Sequence, residues 1–179
     1  SRLLQIIELP SLYWKSVKRW ELYEDLVVRI EWFCNDDLKK LEESIKVNGI
    51  LEPIIVRKKD DHYEIISGHR RKLASEIIGL KSIPCIIRDM TDDDAVIYMV
   101  DSNMHRESIL PSEKAKAYKM KLDAINHQGR TLSQVATKSD SAKEIGEENG
   151  ESRDQVFRYV RLNNLIPELL DKVDSKEIA

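Results

Sequence analysis

The chain contains 179 residues, 41% of them hydrophobic and 34% charged, which is enough for one large domain or two small ones with hydrophobic cores. Its formal net charge is −3, so any binding of nucleic acid would depend on local clusters of basic side chains rather than on the total charge. No apolar run approaches the ~20 residues of a membrane span, no signal-peptide pattern is present, and the first residue is Ser1, so we expect a fragment or processed chain without a membrane segment.

The first 35 residues contain one predictable element. Residues 3–9 form a short apolar run that Pro10 ends, which is typical of a strand. Residues 11–35 mix charged and aliphatic side chains and predict no element. All three tryptophans lie there: Trp14, Trp20 and Trp32. They either pack on the core or mark a surface for a partner.

From residue 35 the pattern is that of an α+β domain. Asn35 or Asp36 can cap a helix whose apolar residues recur at helical spacing until Gly49 stops it. Two β-rich runs, 53–57 and 62–66, follow, and the charged residues between them indicate a hairpin. The elements predicted next are a helix over 70–78, a strand over 83–88 and a helix over 91–103.

A capping box at Thr91 and Asp94 opens the last of these helices, and after Pro111 the β signal disappears. The helices predicted beyond it span 112–126, 141–149 and 152–163, and Pro167 opens another. We therefore predict two domains, an α+β domain over residues 1–110 and an all-α domain over residues 111–179.

The segment Ser67-Gly68-His69-Arg70-Arg71 joins a predicted strand to the first turn of a helix. A helix N-terminus attracts anions, and Gly68 would let a ligand approach the backbone closely. Cations oppose the helix dipole in a first turn, so Arg70 and Arg71 make sense there if a phosphate chain supplies negative charge. The alternative is that both arginines are solvated or paired with Glu or Asp.

A second cluster, DSNMHR at residues 101–106, lies at a helix end. Asn103 can donate and accept hydrogen bonds, and the Arg106 guanidinium is a planar clamp for phosphate. The alternative is an ordinary C-terminal helical turn, where Arg is expected.

Residues 141–162 have the form of a helix-turn-helix, in which Gly150 takes the turn and Ser152 caps the second helix. That helix presents Arg and Gln, which read base edges in the major groove, and further cations for phosphates. The residues predicted to contact DNA are Ser152, Arg153, Gln155, Arg158, Tyr159 and Arg161. The alternative is a plain three-helix bundle. Four nearby carboxylates oppose the approach of DNA unless they point away: Glu144, Glu147, Glu148 and Glu151.

Together these segments resemble the ParB/RepB family of partition proteins. Its N-terminal domain matches LEESIKVNGILEPIIVR, YEIISGHRRKLASEIIGLKSIPCIIRD and VDSNMHR in order, and its central domain matches EIGEENGESRDQVFRYVRL. The resemblance covers about residues 36–179 and implies an α+β N-terminal ParB/sulfiredoxin-like domain followed by an all-α helix-turn-helix domain. It also implies a pocket for CTP with Mg²⁺, and a C-terminal dimerisation region beyond Ala179.

The resemblance assigns residues to the nucleotide pocket. The family's first box, G-E-R-R, corresponds to Gly68, Arg70 and Arg71, and its second box, E-N-x-x-R, corresponds to Asn103 and Arg106. In the second box the resemblance also makes Asn103 a ligand of Mg²⁺. The full predicted nucleotide site is Ser67, Gly68, His69, Arg70, Arg71, Asn103 and Arg106.

The chain departs from the family pattern at both carboxylates. His69 replaces the Glu of the first box and Ser102 that of the second, with Asp101 one residue earlier. A carboxylate is the natural partner for Mg²⁺ or for orienting an attacking water. We therefore expect nucleotide binding rather than hydrolysis, assign no catalytic residue, and leave open a weak CTPase activity.

The resemblance implies a DNA-binding partition or nucleoid-associated protein in which a CTP-type switch controls self-association on double-stranded DNA. Its implied partners are a second copy in a homodimer and a partition ATPase, and its implied location is the cytoplasm, on a bacterial nucleoid or plasmid. Two alternatives remain: a phosphotransferase of the sulfiredoxin fold, and a plain helix-turn-helix transcription regulator that uses no nucleotide. Sulfiredoxin thiol chemistry is not expected, because the box lacks the cysteine of Gly-Cys-His-Arg.

Overall fold

A computed structural model of the chain describes residues 3–13, 35–104, 109–131 and 138–178. The chain forms two units, Ser1–Met90 and Thr91–Ala179, each with its own hydrophobic core. The predicted division of the domains near residue 110 stays a prediction. The three tryptophans and Arg106 lie outside the described residues.

The first unit is built on a mixed sheet. Its strands are β1 Leu3–Glu8, β2 Leu12–Tyr13, β3 Ile54–Lys59, β4 His62–Ser67 and β5 Ser82–Ile87. Their order is β1-β5-β3-β4-β2, in which β1–β5 and β3–β4 are antiparallel while β3–β5 and β2–β4 are parallel. The predicted hairpin is confirmed. Its turn is tighter than expected, because Asp60 adopts a φ of 50° and lets both strands run closer to the turn.

Two helices and one buried cluster accompany the sheet in the part of this unit that the structure describes. The predicted helices are confirmed as α1 Asn35–Asn48 and α2 His69–Ile77, which pack against each other. Strand β5 buries alternate residues, Ile83 and Cys85, whereas β4 buries Glu64, Ile65 and Ile66 in succession. The buried cluster contains Ile7, Leu9, Leu12, Ile54, Val56, Ile65, Ile83 and Cys85. Within it, burial raises the pKa of the Cys85 thiol to about 11, so this free cysteine stays protonated at neutral pH.

The elements described in the second unit are all helices. Its helices are α3 Asp92–Met104, α4 Pro111–Thr131, α5 Lys138–Glu148, α6 Arg153–Leu162 and α7 Pro167–Asp174. Helix α4 is central, because it packs against each of the other four. The core cluster contains Tyr118, Leu122, Ala142, Ile145 and Val156. None of the described helices is long and apolar enough to cross a membrane.

Helix α4 extends beyond its predicted end at residue 126, because its last turns bind α3. His127 Nδ1 lies 2.6 Å from Asp93 Oδ2, and Gln128 Nε2 donates to Asp94 Oδ1 at 2.7 Å. The capping box predicted for the N-terminus of α3 is confirmed, because Asp94 N donates to Thr91 Oγ1 at 3.1 Å. Hydrogen bonds from Thr91, together with that from Gln128, outweigh burial and lower the pKa of Asp94.

Candidate functional site

The turn between β4 and α2 accepts only glycine at its centre. Gly68 is the N-cap of α2 with φ of 104°, a left-handed conformation that L side chains avoid. A Cβ at this position would lie 2.6 Å from Ile54 Cγ2, so strand β3 closes the space above the turn. No side chain caps the helix, and its first turn contains no acidic residue. The first-turn N–H groups and the helix dipole therefore suit an anion.

The two arginines of this turn have different roles. Arg71 Nη1 donates to the carbonyls of Glu52 at 2.8 Å and Pro53 at 3.0 Å, and its Nη2 pairs with the Glu52 carboxylate. Arg71 thus braces the loop before β3, which is the paired alternative considered from the sequence. Arg70 is half-buried and has no hydrogen bond or ion pair among the described residues. Arg70 is therefore the cation available to a ligand.

Residues Ser67 and His69 flank Gly68. Ser67 ends β4 and lies opposite Ile55 of β3 in the antiparallel ladder, while His69 begins α2. Both side chains are half-buried. Ser67 and His69 therefore lie in the turn from strand to helix that was predicted for residues 67–71.

A buried ion pair that was not predicted from the sequence supports the hairpin. Arg57 and Glu64 lie opposite each other in β3 and β4, are 3% and 0% exposed, and have Nε and Oε2 2.5 Å apart. Arg57 also donates to the carbonyl of Met90 at 3.3 Å. Removing one partner of a buried pair costs about 3–5 kcal/mol. Opposite charges at facing strand positions are the one signal that was available beforehand.

The second box lies at the end of α3, in the other unit. Asn103 Nδ2 and Ser102 Oγ both donate to the carbonyl of Met99 at 2.9 Å, so these side chains satisfy the end of the helix. Asp101 binds Lys121 and is not an uncommitted carboxylate. The predicted residue Arg106 falls outside the described residues.

The described residues fit a Mg²⁺ ion only weakly. They contain no group of three or more His, Cys, Asp or Glu side chains that could hold a metal ion. At the second box the available donor is the amide oxygen of Asn103, because the Asp101 carboxylate is engaged. A single neutral oxygen does not make a protein cage for Mg²⁺, which usually takes most of its ligands from water and phosphate.

Helices α5 and α6 form a tight helix-turn-helix that two glycines allow. Gly150 takes the turn with φ of 69°. A Cβ at Gly146 would lie 2.6 Å from the carbonyl oxygen of Glu151, whose N–H donates to the Gly146 carbonyl at 2.7 Å. The sequence reasoning missed Gly146, although a second glycine four residues before the turn glycine was a usable signal.

The N-terminus of α6 is closed by a capping box. Ser152 Oγ accepts a hydrogen bond from Gln155 N at 3.2 Å, and Gln155 Oε1 accepts one from Ser152 N at 2.9 Å. Both side chains are exposed, but their oxygens are engaged by the cap, which leaves the Gln155 amide NH₂ for a ligand. The neighbouring Arg153 lies 3.0 Å from Asp154 in an exposed ion pair.

The rest of α6 separates into an outward and an inward side. Arg158 and Arg161 are exposed and have no ion-pair or hydrogen-bond partner within the described ranges. Tyr159 is half-buried, with its ring edge-on to Tyr118 at 5.8 Å between centroids and the Lys114 ammonium 4.9 Å from its ring centre. Of the predicted DNA contacts, Tyr159 is thus the one that packs inward.

Two of the glutamates expected to oppose DNA are neutralised from inside the unit. Lys114 and Tyr118 of α4 bind the carboxylate of Glu151, with Tyr118 Oη donating to Oε2 at 2.8 Å. Lys121 of α4 binds Glu148 at the end of α5. Burial, the hydrogen bond to Glu151 and the charge of that carboxylate all raise the pKa of Tyr118, so its hydroxyl remains a donor.

Comparisons with known proteins agree on one family. The family model for the ParB N-terminal domain matches residues 17–104. The chain is 33% identical over 147 residues to the chromosome-partitioning protein Spo0J of Thermus thermophilus, covering 82% of this chain and 49% of that protein. It is 45% identical over 92 residues to the chromosome-partitioning protein ParB of Myxococcus xanthus, covering 51% and 31% respectively. The chain thus spans half or less of the length of these curated relatives.

Solved structures share the fold. The C-terminally truncated partitioning protein ParB of Caulobacter crescentus, complexed to the centromeric parS site, has a TM-score of 0.59 and 23% identity, covering 98% of this chain and 80% of that one. A Pnob8-like ParB-N domain has a TM-score of 0.66 and 16% identity, covering 99% and 75%. At these identities the likeness establishes the fold, and it confirms the fold class expected from the sequence.

Proposed function

Since this chain belongs to the ParB family of partition proteins, we propose that it binds double-stranded DNA through α6 and a nucleotide through the turn before α2. The observation that carries the proposal is the pair of exposed cations, Arg158 and Arg161, on a capped second helix of a helix-turn-helix, where neither has an ion-pair or hydrogen-bond partner among the described residues. An exposed guanidinium contacts base edges or phosphates without first breaking an internal ion pair.

The local charge around the helix-turn-helix favours DNA despite the net charge of −3. Glu148 and Glu151 face Lys121 and Lys114, so their charges are compensated where the turn would approach a duplex. We propose Ser152, Arg153, Gln155, Arg158 and Arg161 as the contacting residues and Tyr159 as a packing residue that orients them. The similar Caulobacter crescentus structure was complexed to a centromeric parS site, so a parS duplex is the first DNA to test.

The nucleotide is proposed to bind by its phosphates. The first turn of α2 supplies N–H groups without a side-chain cap, and Gly68 allows the left-handed turn that begins this helix. Arg70 supplies a guanidinium that has no hydrogen bond or ion pair among the described residues. Arg71 would shape the turn indirectly, through its hydrogen bonds to residues 52–53. CTP is the ligand that the family's boxes imply. For Mg²⁺, we propose Asn103 of the second box as the ligand that this chain would supply.

The remaining parts of the function are also proposals. They comprise self-association as a homodimer on DNA under control of the nucleotide, an interaction with a partition ATPase, and location in the bacterial cytoplasm on a nucleoid or plasmid. Binding of DNA at α6 and of nucleotide at α2 would then be coupled, and each ligand would change the affinity for the other by the same factor.

The test is a binding panel with labelled CTP, ATP and GTP, each measured with a parS duplex, with a scrambled duplex and without DNA. Arg70→Ala should lose nucleotide binding and keep DNA binding, whereas Arg158→Ala should do the reverse, so each variant is the control for the other. Binding of DNA but of no nucleotide would leave a plain transcription regulator. Turnover of ATP unaffected by DNA would support a phosphotransferase.

A further inference from the structure

Lys121 is a buried cation shared by two carboxylates from different helices. Its side chain is 4% exposed, and its Nζ lies 2.6 Å from Asp101 Oδ1 of α3 while also binding Glu148 Oε2 of α5. Lys121 itself belongs to α4, which packs against both of those helices. One ammonium group therefore joins three helices of the second unit.

The charge on this lysine is maintained by its partners. Burial by itself would lower the pKa of Lys121, but the hydrogen bonds and charges of Asp101 and Glu148 outweigh it and the pKa is raised. A buried ammonium depends on such compensation, because an unpaired charge in a desolvated position is costly. Any movement of one carboxylate therefore changes how strongly the lysine holds the other.

The two carboxylates lie next to the two candidate binding sites. Asp101 directly precedes Ser102 and Asn103 of the second nucleotide box, in the last turn of α3. Glu148 is the last residue of α5, immediately before the turn that ends at the cap of α6. The Glu151 N–H bond to Gly146 makes this turn tight, so a shift of the end of α5 moves the N-terminus of α6 as well.

We propose that Lys121 is a positioning residue that couples the nucleotide box at the end of α3 to the DNA-binding helix, through its shared bridge to Asp101 and Glu148. This rests on the proposed function, and it adds the physical connection between the two sites. Nucleotide bound beside Asn103 repositions Asp101, the bridge to Glu148 strengthens or weakens in response, and the orientation of α6 follows. Because coupling is reciprocal, DNA held by α6 acts back on the nucleotide box through the same lysine.

The test measures coupling rather than binding alone. The affinity for CTP is determined with and without saturating parS duplex, and the ratio of the two dissociation constants is compared between variants of the full chain. Asp101→Asn and Glu148→Gln each remove one charge from the bridge and keep the side-chain shape. The matched control is Glu147→Gln, because Glu147 is exposed on the same turn of α5 and pairs with Lys143 at 3.8 Å, away from Lys121.

The wild type and Glu147→Gln are expected to show the same ratio, which coupling of ordinary strength would set at about tenfold. Asp101→Asn and Glu148→Gln are each expected to bind CTP and DNA separately but to move the ratio toward one. The double variant should lose no more coupling than either single variant, since both changes break the same bridge. A merely structural role would lower the melting temperature without changing the ratio.

An unchanged ratio in folded Asp101→Asn would overturn the inference and leave the proposed function intact. A wild type that binds both ligands without coupling would overturn the inference together with the coupling in the proposed function, and would leave the two proposed binding sites in place. A wild type that binds no nucleotide would overturn the inference together with the nucleotide part of the proposed function. Lys121→Met is not used as the primary variant, because it leaves two carboxylates without their cation and is expected to destabilise the fold.

Discussion

The hydroxyl of Tyr118 donates a hydrogen bond of 2.8 Å to Glu151, the residue that precedes the cap of the DNA-binding helix. This contact joins the centre of α4 to the turn of the helix-turn-helix, although the two residues are 33 positions apart. Glu151 is also held by Lys114, so the carboxylate is satisfied from one side by two groups of the same helix. The orientation of α6 is thus set from α4.

Tyr118→Phe should therefore destabilise the second unit by about 1 kcal/mol, the usual net value of one buried hydrogen bond, or somewhat more because a charged acceptor is involved. The measurement is urea unfolding followed by circular dichroism. Tyr159→Phe is the matched control, since its ring packs on Tyr118 but its hydroxyl makes no hydrogen bond among the described residues. Equal losses for the two variants would contradict the assigned role of the hydroxyl.

Substitutions of the two arginines of the first box should have different effects, one on the stability of the fold and the other on nucleotide binding. Arg71→Ala removes hydrogen bonds to Glu52 and Pro53 and should cost about 1–3 kcal/mol of unfolding free energy. Arg70→Ala removes no hydrogen bond or ion pair among the described residues and should leave the unfolding free energy within about 0.5 kcal/mol of the wild type. Its affinity for CTP should fall at least tenfold. A destabilised Arg70→Ala with normal CTP affinity would refute the assignment.

Gly68→Ala should lower the free energy of unfolding more than an alanine substitution at another glycine that has a positive φ. The new Cβ meets both an unfavourable φ of 104° and Ile54 Cγ2 at 2.6 Å. We expect a loss of about 2–4 kcal/mol, the sum of backbone strain and overpacking, together with loss of nucleotide binding. The control is Gly79→Ala, where φ is 78° but no atom lies within 4 Å of the added Cβ. Both variants introduce backbone strain, but only Gly68→Ala adds a steric clash. The difference between their losses of stability in thermal unfolding therefore measures the contribution of the clash.

Gly146→Ala should disrupt the helix-turn-helix and not the sheet of the first unit. Its Cβ would lie 2.6 Å from the Glu151 carbonyl, so the turn must open by displacing backbone. DNA binding should be lost while CTP binding is kept. The comparison variant is Gly150→Asn, because asparagine tolerates the left-handed conformation and position 150 has open space. Normal DNA affinity in Gly146→Ala would show that the tight turn is not required.

The capping box of α3 should add a pH-dependent contribution to stability. The pKa of Asp94 is lowered in the folded chain, chiefly by its hydrogen bonds with Thr91, so the contribution is present above the usual carboxylate pKa of about 3.9 and is lost as the pH falls through the lower folded-state value. Thr91→Ala should cost about 1 kcal/mol at pH 7 and less under acidic conditions. Unfolding measured from pH 7 down to about pH 2, below the usual carboxylate pKa, checks this. A cost independent of pH would contradict it.

Local sequence patterns determined most of the elements of this protein. Helix α1, the β3–β4 hairpin, the capping box at Thr91 and the cap of α6 at Ser152 all follow from neighbours within about four residues, because hydrogen bonding and side-chain spacing in helices and turns are local. The motif spacing also indicated the family and the two candidate binding segments. The short strand β2 was missed because its two residues contain no period to detect.

Only the tertiary structure decided which of the candidate residues are available. The sequence places Arg70 and Arg71 side by side, but folding brings Glu52 to Arg71, whereas Arg70 has no ion pair within the described ranges. Likewise, the sequence alone suggests that Glu148 and Glu151 repel DNA. In the folded chain, Lys121 and Lys114 of α4 neutralise these two carboxylates. Such pairs join residues some 20 to 40 positions apart, and no local period encodes them. They depend on which surfaces become buried together, and this determines the charge that each site presents to a ligand.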